Sequence, residues 1–129
     1  MEKTTVAIAD APQAVGPYSQ GIVVRKLTSL AYFSGQIAID PTSGKLHGQT
    51  ATEQAEQIVE NIDALLRSQN MTAENVVKTT VFLTDINAFA AVNAVYAAYF
   101  GASLPARSCV AVAALPLGAL VEIEITAAT

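Results

Sequence analysis

Charged residues are scarce in this chain. Asp, Glu, Lys and Arg make up 14% of its 129 residues, against 52% hydrophobic. A globule this small has much surface to cover with so few charges, so part of its apolar surface is expected to meet other copies of the chain. Positive charge is the rarer sign: seven Lys and Arg against eleven Asp and Glu give a net charge of −4 and a pI near 4.8. No basic run is placed to neutralise several phosphates, which disfavours a nucleic-acid partner. One cysteine excludes an internal disulfide and a multi-cysteine metal centre, and the lone histidine, His47, has no ligand spacing around it. The N-terminus lacks the apolar core of a secretion signal, and no segment reaches the ~20 uninterrupted apolar residues of a membrane helix. A soluble, cytoplasmic protein of a reducing compartment is expected. With no repeat and no low-complexity linker, residues 1–129 read as a single domain.

The elements follow from periodicity. Thr4 to Ile8 reads as a first strand, and Pro12, Gly16 and Pro17 force an irregular segment ending at Tyr18-Ser19-Gln20-Gly21. Gly21 to Val24 and Leu30 to Phe33 read as a β-hairpin turning at Lys26-Leu27-Thr28-Ser29. Gly35 marks a bulge or a close backbone approach, and Asp40-Pro41-Thr42-Ser43-Gly44 is a turn. Thr50 and Glu53 form a capping-box signature before Ile58, Ile62, Leu65 and Leu66, which predicts a long helix ending near Asn70. Val76 to Thr84 alternates as a strand. Asp85 or Asn87 caps an amphipathic helix carrying Phe89, Val92, Tyr96 and Phe100, ended by Gly101. The order ββ(β)αβαββ points to an α+β fold: one mixed β-sheet with two helices packed on one face, the other face covered by further copies.

Leu104-Pro105-Ala106-Arg107-Ser108-Cys109-Val110 places a permanent charge at the head of an apparently buried strand, and such a charge is normally satisfied by an anion. Glu122 and Glu124 interrupt the apolar run Leu120 to Ile125. If the two segments are arms of one antiparallel hairpin around Leu115-Pro116-Leu117-Gly118, Arg107 lies opposite Glu122 or its neighbour. In one register Arg107, Cys109, Leu120 and Glu122 share a face; a slip of one residue sends Glu122 to the other. The simpler alternative is a structural ion pair between Arg107 and Glu122 or Glu124.

Six fragments in order, Gly16-Pro17-Tyr18-Ser19-Gln20-Gly21, Phe33-Ser34-Gly35-Gln36-Ile37, Val77-Lys78-Thr79-Thr80-Val81-Phe82-Leu83, Val92-Asn93, Pro105-Ala106-Arg107-Ser108-Cys109-Val110 and Val121-Glu122-Ile123-Glu124, resemble the RidA-type reactive intermediate deaminases, the YjgF family, over nearly the whole chain. The resemblance implies a chorismate-mutase-like α+β subunit and a homotrimer with sites in the clefts between subunits. It implies hydrolytic deamination of 2-imino and enamino acids such as 2-aminoacrylate, 2-iminopropanoate and 2-iminobutanoate to 2-oxo acids and ammonia, with no metal or organic cofactor. By the same resemblance Arg107 binds the substrate carboxylate, Glu122 orients the attacking water, and Tyr18, Ser34, Gly35, Asn93 and Cys109 complete the pocket. The Phe100-to-Leu104 stretch is shorter and the Arg25-to-Leu30 turn slightly longer than in many relatives.

The residue types suit that chemistry. A guanidinium holds a planar carboxylate in two parallel hydrogen bonds, which an ammonium does less specifically. One carboxyl group beside the C=N carbon relays protons through water. Imines already hydrolyse in water, so positioning and one acid–base group, each worth factors of about 10² or more, suffice. The competing class is a non-catalytic trimer that binds or senses small 2-oxo acids, for which Glu122 has no evident use. A ribonuclease, attached to some members of the family, fits poorly with an acidic chain lacking a basic stripe. Bland roles remain for single residues: Cys109 as a buried small hydrophobe, Tyr18 as packing, Asn93 as a cap, Tyr96 and Tyr99 as core or interface.

Overall fold

The computed structural model describes residues 1–129. In chain order the elements are β1 (Glu2–Val6), β2 (Gly21–Arg25), β3 (Leu30–Gln36), α1 (Ala51–Ser68), β4 (Val76–Leu83), α2 (Phe89–Phe100), β5 (Ala106–Ala111) and β6 (Val121–Ala128). Strands β3, β6, β4 and β5 lie side by side in that order in a mixed sheet, and β1 and β2 form a separate pair. The fold is α+β, with both helices on one face of the mixed sheet.

Local chemistry explains the helices. Thr50 Oγ1 accepts from the Glu53 N–H at 3.2 Å and starts α1. The Glu53 carboxylate reaches back to the Gln49 N–H at 2.7 Å, one residue before the position that a strict capping box uses. Ala55, Ile58, Ile62 and Leu66 recur at helical spacing and are all buried, as are Val92, Tyr96 and Phe100 of α2. Asp85 caps the 3₁₀ turn that leads into α2 by accepting from the Asn87 N–H at 2.9 Å. The expected amphipathic character of α2 is absent: none of its residues is charged and its exposed side is largely alanine. Phe89, expected in its buried stripe, is 37% exposed.

Alternation sets the sheet. Thr79, Val81 and Leu83 of β4 and Val121, Ile123, Ile125 and Ala127 of β6 are buried beneath the helices, which leaves Lys78, Thr80, Phe82, Glu122 and Glu124 on the opposite face.

Two expected hairpins do not form. β2 pairs with β1 from Val6↔Gly21 to Glu2↔Arg25, and β3 pairs with β6. The turn between β2 and β3 is tied to the C-terminus instead, since the N–H groups of Thr28 and Ser29 both donate to the Thr129 carbonyl. Nor are β5 and β6 arms of one hairpin, because β4 stands between them. It pairs in parallel with β5, Thr79 beside Arg107, and antiparallel with β6, Phe82 opposite Glu122. The physical reason is the helix: a β4–α2–β5 crossover makes β5 parallel to β4 and puts it at the sheet edge. The Pro116–Gly118 turn, with Leu117 and Gly118 both at positive φ, then carries the chain across to the other side of β4. There β6 lies between two strands, as its buried alternate residues require.

Gln54 fixes where β6 starts. Its side chain is 2% exposed; it accepts from the Leu120 N–H at 2.8 Å and donates to the Gly48 carbonyl at 3.1 Å. Gln54→Leu keeps the volume and strands both backbone groups, so urea unfolding is expected to show a loss of roughly 1–3 kcal/mol. An unchanged midpoint at unchanged slope would mean that water replaces the amide without cost.

Candidate active site

Arg107 lies on the helix-covered side of the sheet, because it sits beside Thr79 and shares that residue's face. Its guanidinium donates from Nη1 to Asn93 Oδ1 of α2 at 2.5 Å. Three rings surround it, with guanidinium carbon to ring centroid distances of 4.7 Å to Tyr96, 5.2 Å to Tyr18 and 5.6 Å to Phe89. No acid is paired with it: the ion pairs of the chain are Lys26–Glu2 and Asp63–Arg67. The Arg107–Glu122 or Arg107–Glu124 ion pair therefore does not form. A concavity of about 260 Å³ opens in front of the guanidinium, lined by Val15, Gly16, Tyr18, Phe89, Arg107 and Cys109.

The supports of this cluster are buried. The hydroxyls of Tyr96 and Thr79 share a hydrogen bond at 2.7 Å, with Tyr96 1% and Thr79 0% exposed, so the ring under the guanidinium is fixed to the central strand. Burial raises the Tyr96 hydroxyl above its ordinary pKa, against the opposing effect of the Thr79 hydrogen bond. Burial likewise raises the Cys109 thiol, and the nearby Arg107 charge only partly opposes this. Cys109 is thus held as a neutral thiol, with no base to activate it.

Glu122 stands apart. It is three positions from Arg107 along β4, an odd offset that puts it on the other face of the sheet. There it meets the bulge of β3, where the register shifts between Phe33 and Gln36. Gly35 is required: a Cβ at this position would lie 2.0 Å from Glu122 Oε1. Ser34 beside it is exposed. The expected close approach at Gly35 is present, whereas the expected shared face of Arg107 and Glu122 is not. Tyr18, Asn93, Arg107 and Cys109 gather on one side of the sheet; Ser34, Gly35 and Glu122 gather on the other.

A larger concavity, about 790 Å³, lies between α1 and α2 among Glu56, Val59, Glu60, Ala94, Ala98 and Tyr99. It contains no cation, so charge rather than volume selects the smaller pocket. No cluster of three His, Cys, Asp or Glu side chains is placed to hold a metal ion, and no helix is long and apolar enough to cross a membrane.

Residues 8–129 match the family model described as Endoribonuclease L-PSP. The chain belongs to that family. It is the RidA or YjgF group that the motifs resemble. The human 2-iminobutanoate/2-iminopropanoate deaminase is 44% identical over 125 residues, which is 97% of this chain and 89% of the human one. A Thermotoga maritima structure described as a putative endoribonuclease superposes with a TM-score of 0.76 at 44% identity, covering 100% of this chain and 98% of that one. Escherichia coli TdcF, solved with bound serine, superposes at 0.74 and 36% identity, with 98% of each chain covered. Within this RidA-group fold, Phe89 and Tyr96 are the residues that sequence reasoning missed as neighbours of Arg107. Their signal was present: Phe89, Asn93 and Tyr96 stand at i, i+4 and i+7 on one side of α2, with an amide set in an apolar stripe.

Two outcomes follow from this geometry. Gly35→Ala is expected to fold but to push the Glu122 carboxylate from its notch; a crystal structure with that carboxylate unmoved would contradict the close approach. Tyr96 and Cys109 hold their protons more tightly when folded, so the stability they contribute is complete below their ordinary pKa values and lost as pH rises through the raised ones. Thermal unfolding is expected to shift downward on the alkaline side, and less so in Cys109→Ala.

Proposed function

We propose that the chain catalyses hydrolytic deamination of small 2-imino and enamino acids to 2-oxo acids and ammonia. One observation carries this reading: a guanidinium with no acid partner faces a cavity of about 260 Å³. Such a charge is matched by the carboxylate of a small organic acid in bidentate geometry. The rings of Tyr18 and Phe89 beside it offer contact to a short apolar side chain, as in 2-iminopropanoate or 2-iminobutanoate. The similarity to a human deaminase of that name supports the same class of substrate.

In the proposed reaction the water oxygen bonds to the imine carbon while the nitrogen takes a proton, giving a carbinolamine. The C–N bond then breaks and ammonia leaves as the C=O bond forms. Arg107 holds the carboxylate, Asn93 and Tyr96 hold Arg107, and Glu122 orients the water and relays its protons. Cys109, kept neutral, is a wall of the pocket rather than a nucleophile, and the chemistry calls for no metal or cofactor.

Within one chain Glu122 cannot reach the carbon of an acid bound at Arg107. Three residues at ~3.3 Å and two strand spacings of ~4.8 Å separate them, with the sheet between. The reading therefore includes assembly: a homotrimer of chorismate-mutase-like subunits, in which the open sheet face of one copy brings Glu122, Gly35 and Ser34 to the Arg107 pocket of the next.

Arg107→Ala and Glu122→Gln are each expected to lose almost all acceleration of the decay of 2-iminobutanoate generated in situ by an amino-acid oxidase. Co-expressed as a mixed assembly, the two variants are expected to regain activity, since about a quarter of randomly mixed interfaces then pair an intact Arg107 with an intact Glu122. Mixing that restores nothing would rule out a site shared between copies. Wild-type protein that leaves imine decay unchanged, yet binds 2-oxobutanoate, would favour the binding-only alternative, which the separation of Arg107 from Glu122 within the chain also favours.

A further inference from the structure

The connection from β1 to β2, residues 7–20, has no strand or helix of its own apart from a single bridge at Ser19, and connections of that length in a small domain are usually functional. It supplies half of the residues that line the Arg107 pocket: Val15, Gly16 and Tyr18. Yet its first half is not anchored by packing. Ile8, Ala9, Asp10, Pro12, Gln13 and Ala14 are exposed, and a hollow of about 350 Å³ lies beneath the loop, between it and β1. Its backbone makes little of its own either: the Tyr18 N–H donates to the Gly16 carbonyl and the Ser19 N–H to the Pro105 carbonyl.

One side chain supplies what the backbone does not. Gln20 Oε1 accepts from the Ile8 N–H at 2.8 Å. Its Nε2 faces the carbonyls of Ile8 at 2.9 Å, Pro12 at 2.9 Å and Ala11 at 3.4 Å. The amide thus mimics a strand partner, offering a donor and an acceptor to the two polar groups of Ile8 where the β1–β2 ladder has ended at Val6↔Gly21. Beyond the clamp, Ser19 Oγ donates to the Leu104 carbonyl at 2.6 Å and the Val15 N–H donates to Tyr18 Oη at 3.3 Å. The loop is therefore fastened at both ends, with Tyr18 between the fastenings and across Arg107.

We propose that Gln20 is a positioning residue of the acid-binding pocket: its side-chain amide holds the 7–20 loop so that Tyr18, Val15 and Gly16 wall the Arg107 cavity. The proposal rests on the carboxylate-binding reading of Arg107 for its effect on ligand, but the clamp itself is tested without ligand.

Gln20→Met keeps the length and apolar stem and removes every bond; Gln20→Glu keeps only the acceptor for the Ile8 N–H. By hydrogen exchange, Gln20→Met is expected to lose protection at the Ile8, Val15 and Tyr18 amides while β4 and β6 stay protected. Gln20→Glu is expected to retain it at Ile8 alone, and serves by itself should Gln20→Met not fold. Calorimetric titration with 2-oxobutanoate is expected to show about tenfold weaker binding for Gln20→Met in the wild-type background, and at most about twofold further weakening in Tyr18→Ala, where the wall is already lost. With the imine substrate, KM is expected to rise with kcat little changed. Unchanged exchange at Ile8, or equal losses of affinity in both backgrounds, would overturn the assignment. If wild-type protein leaves imine decay unchanged and binds no 2-oxobutanoate, the proposed function fails, and the exchange experiment still decides whether Gln20 holds the loop.

Discussion

The fold surrounds the Arg107 guanidinium with aromatic faces and one amide oxygen rather than with an acid. That choice governs much of what lies nearby. A guanidinium over rings gains about 0.5–2 kcal/mol from each well-placed face and keeps donor groups free, whereas a carboxylate partner would occupy the fork. The rings need anchoring. Tyr96 is held by the buried Thr79 hydroxyl, Phe89 by its place at the start of α2, and Tyr18 by the irregular loop. Helix α2 thus contributes two of the three faces and the loop the third, and the sheet anchors one of them.

The central position of β4 shapes the rest. By pairing with β5 on one side and β6 on the other, it transmits its alternation to both. A residue of β5 beside Thr79 must face the helices, and a residue of β6 opposite Phe82 must face away. Arg107 and Glu122 are thereby assigned to different faces by parity alone. A chain that uses both in one reaction has to supply them from two copies. Composition is compatible with the proposed assembly: with 14% charged residues and Tyr32 76% exposed on the strand β3, the surface is short of polar cover.

How far the sequence could be read depended on whether the deciding interactions were local. The Thr50 cap, the α1 stripe through Ile58 and Ile62 and the alternation of β4 all follow from neighbours within a few residues, and all stand in the structure; the close approach at Gly35 stands too, although the group it approaches, Glu122, lies on a distant strand. Strand pairing does not. A turn at Pro116–Gly118 between two apolar segments looks the same whether the strands pair directly or across a third, and the choice is made by the α2 crossover, which no residue of the turn records. Arg107 was conspicuous because an obligatory charge in an apolar strand violates a local rule. Its partner was misassigned for the same reason as the hairpin. Tyr96 and Phe89 looked like core because they are apolar at helical spacing, and only the position of β5 beneath α2 gives them a second role.

The uncharged surface of α2 belongs to this picture. Twelve residues without a charge are unusual for a helix that keeps one side in water, and near Arg107 they have an electrostatic effect. No charged side chain of the helix competes for the guanidinium, Asn93 accepts from Nη1 alone, and Tyr96 and Phe89 replace water on two sides. Between unit charges at 4 Å, attraction rises from about 1 kcal/mol in water to about 4 kcal/mol at the effective dielectric of a protein surface, so a carboxylate entering this pocket is held more firmly than an exposed arginine would hold it.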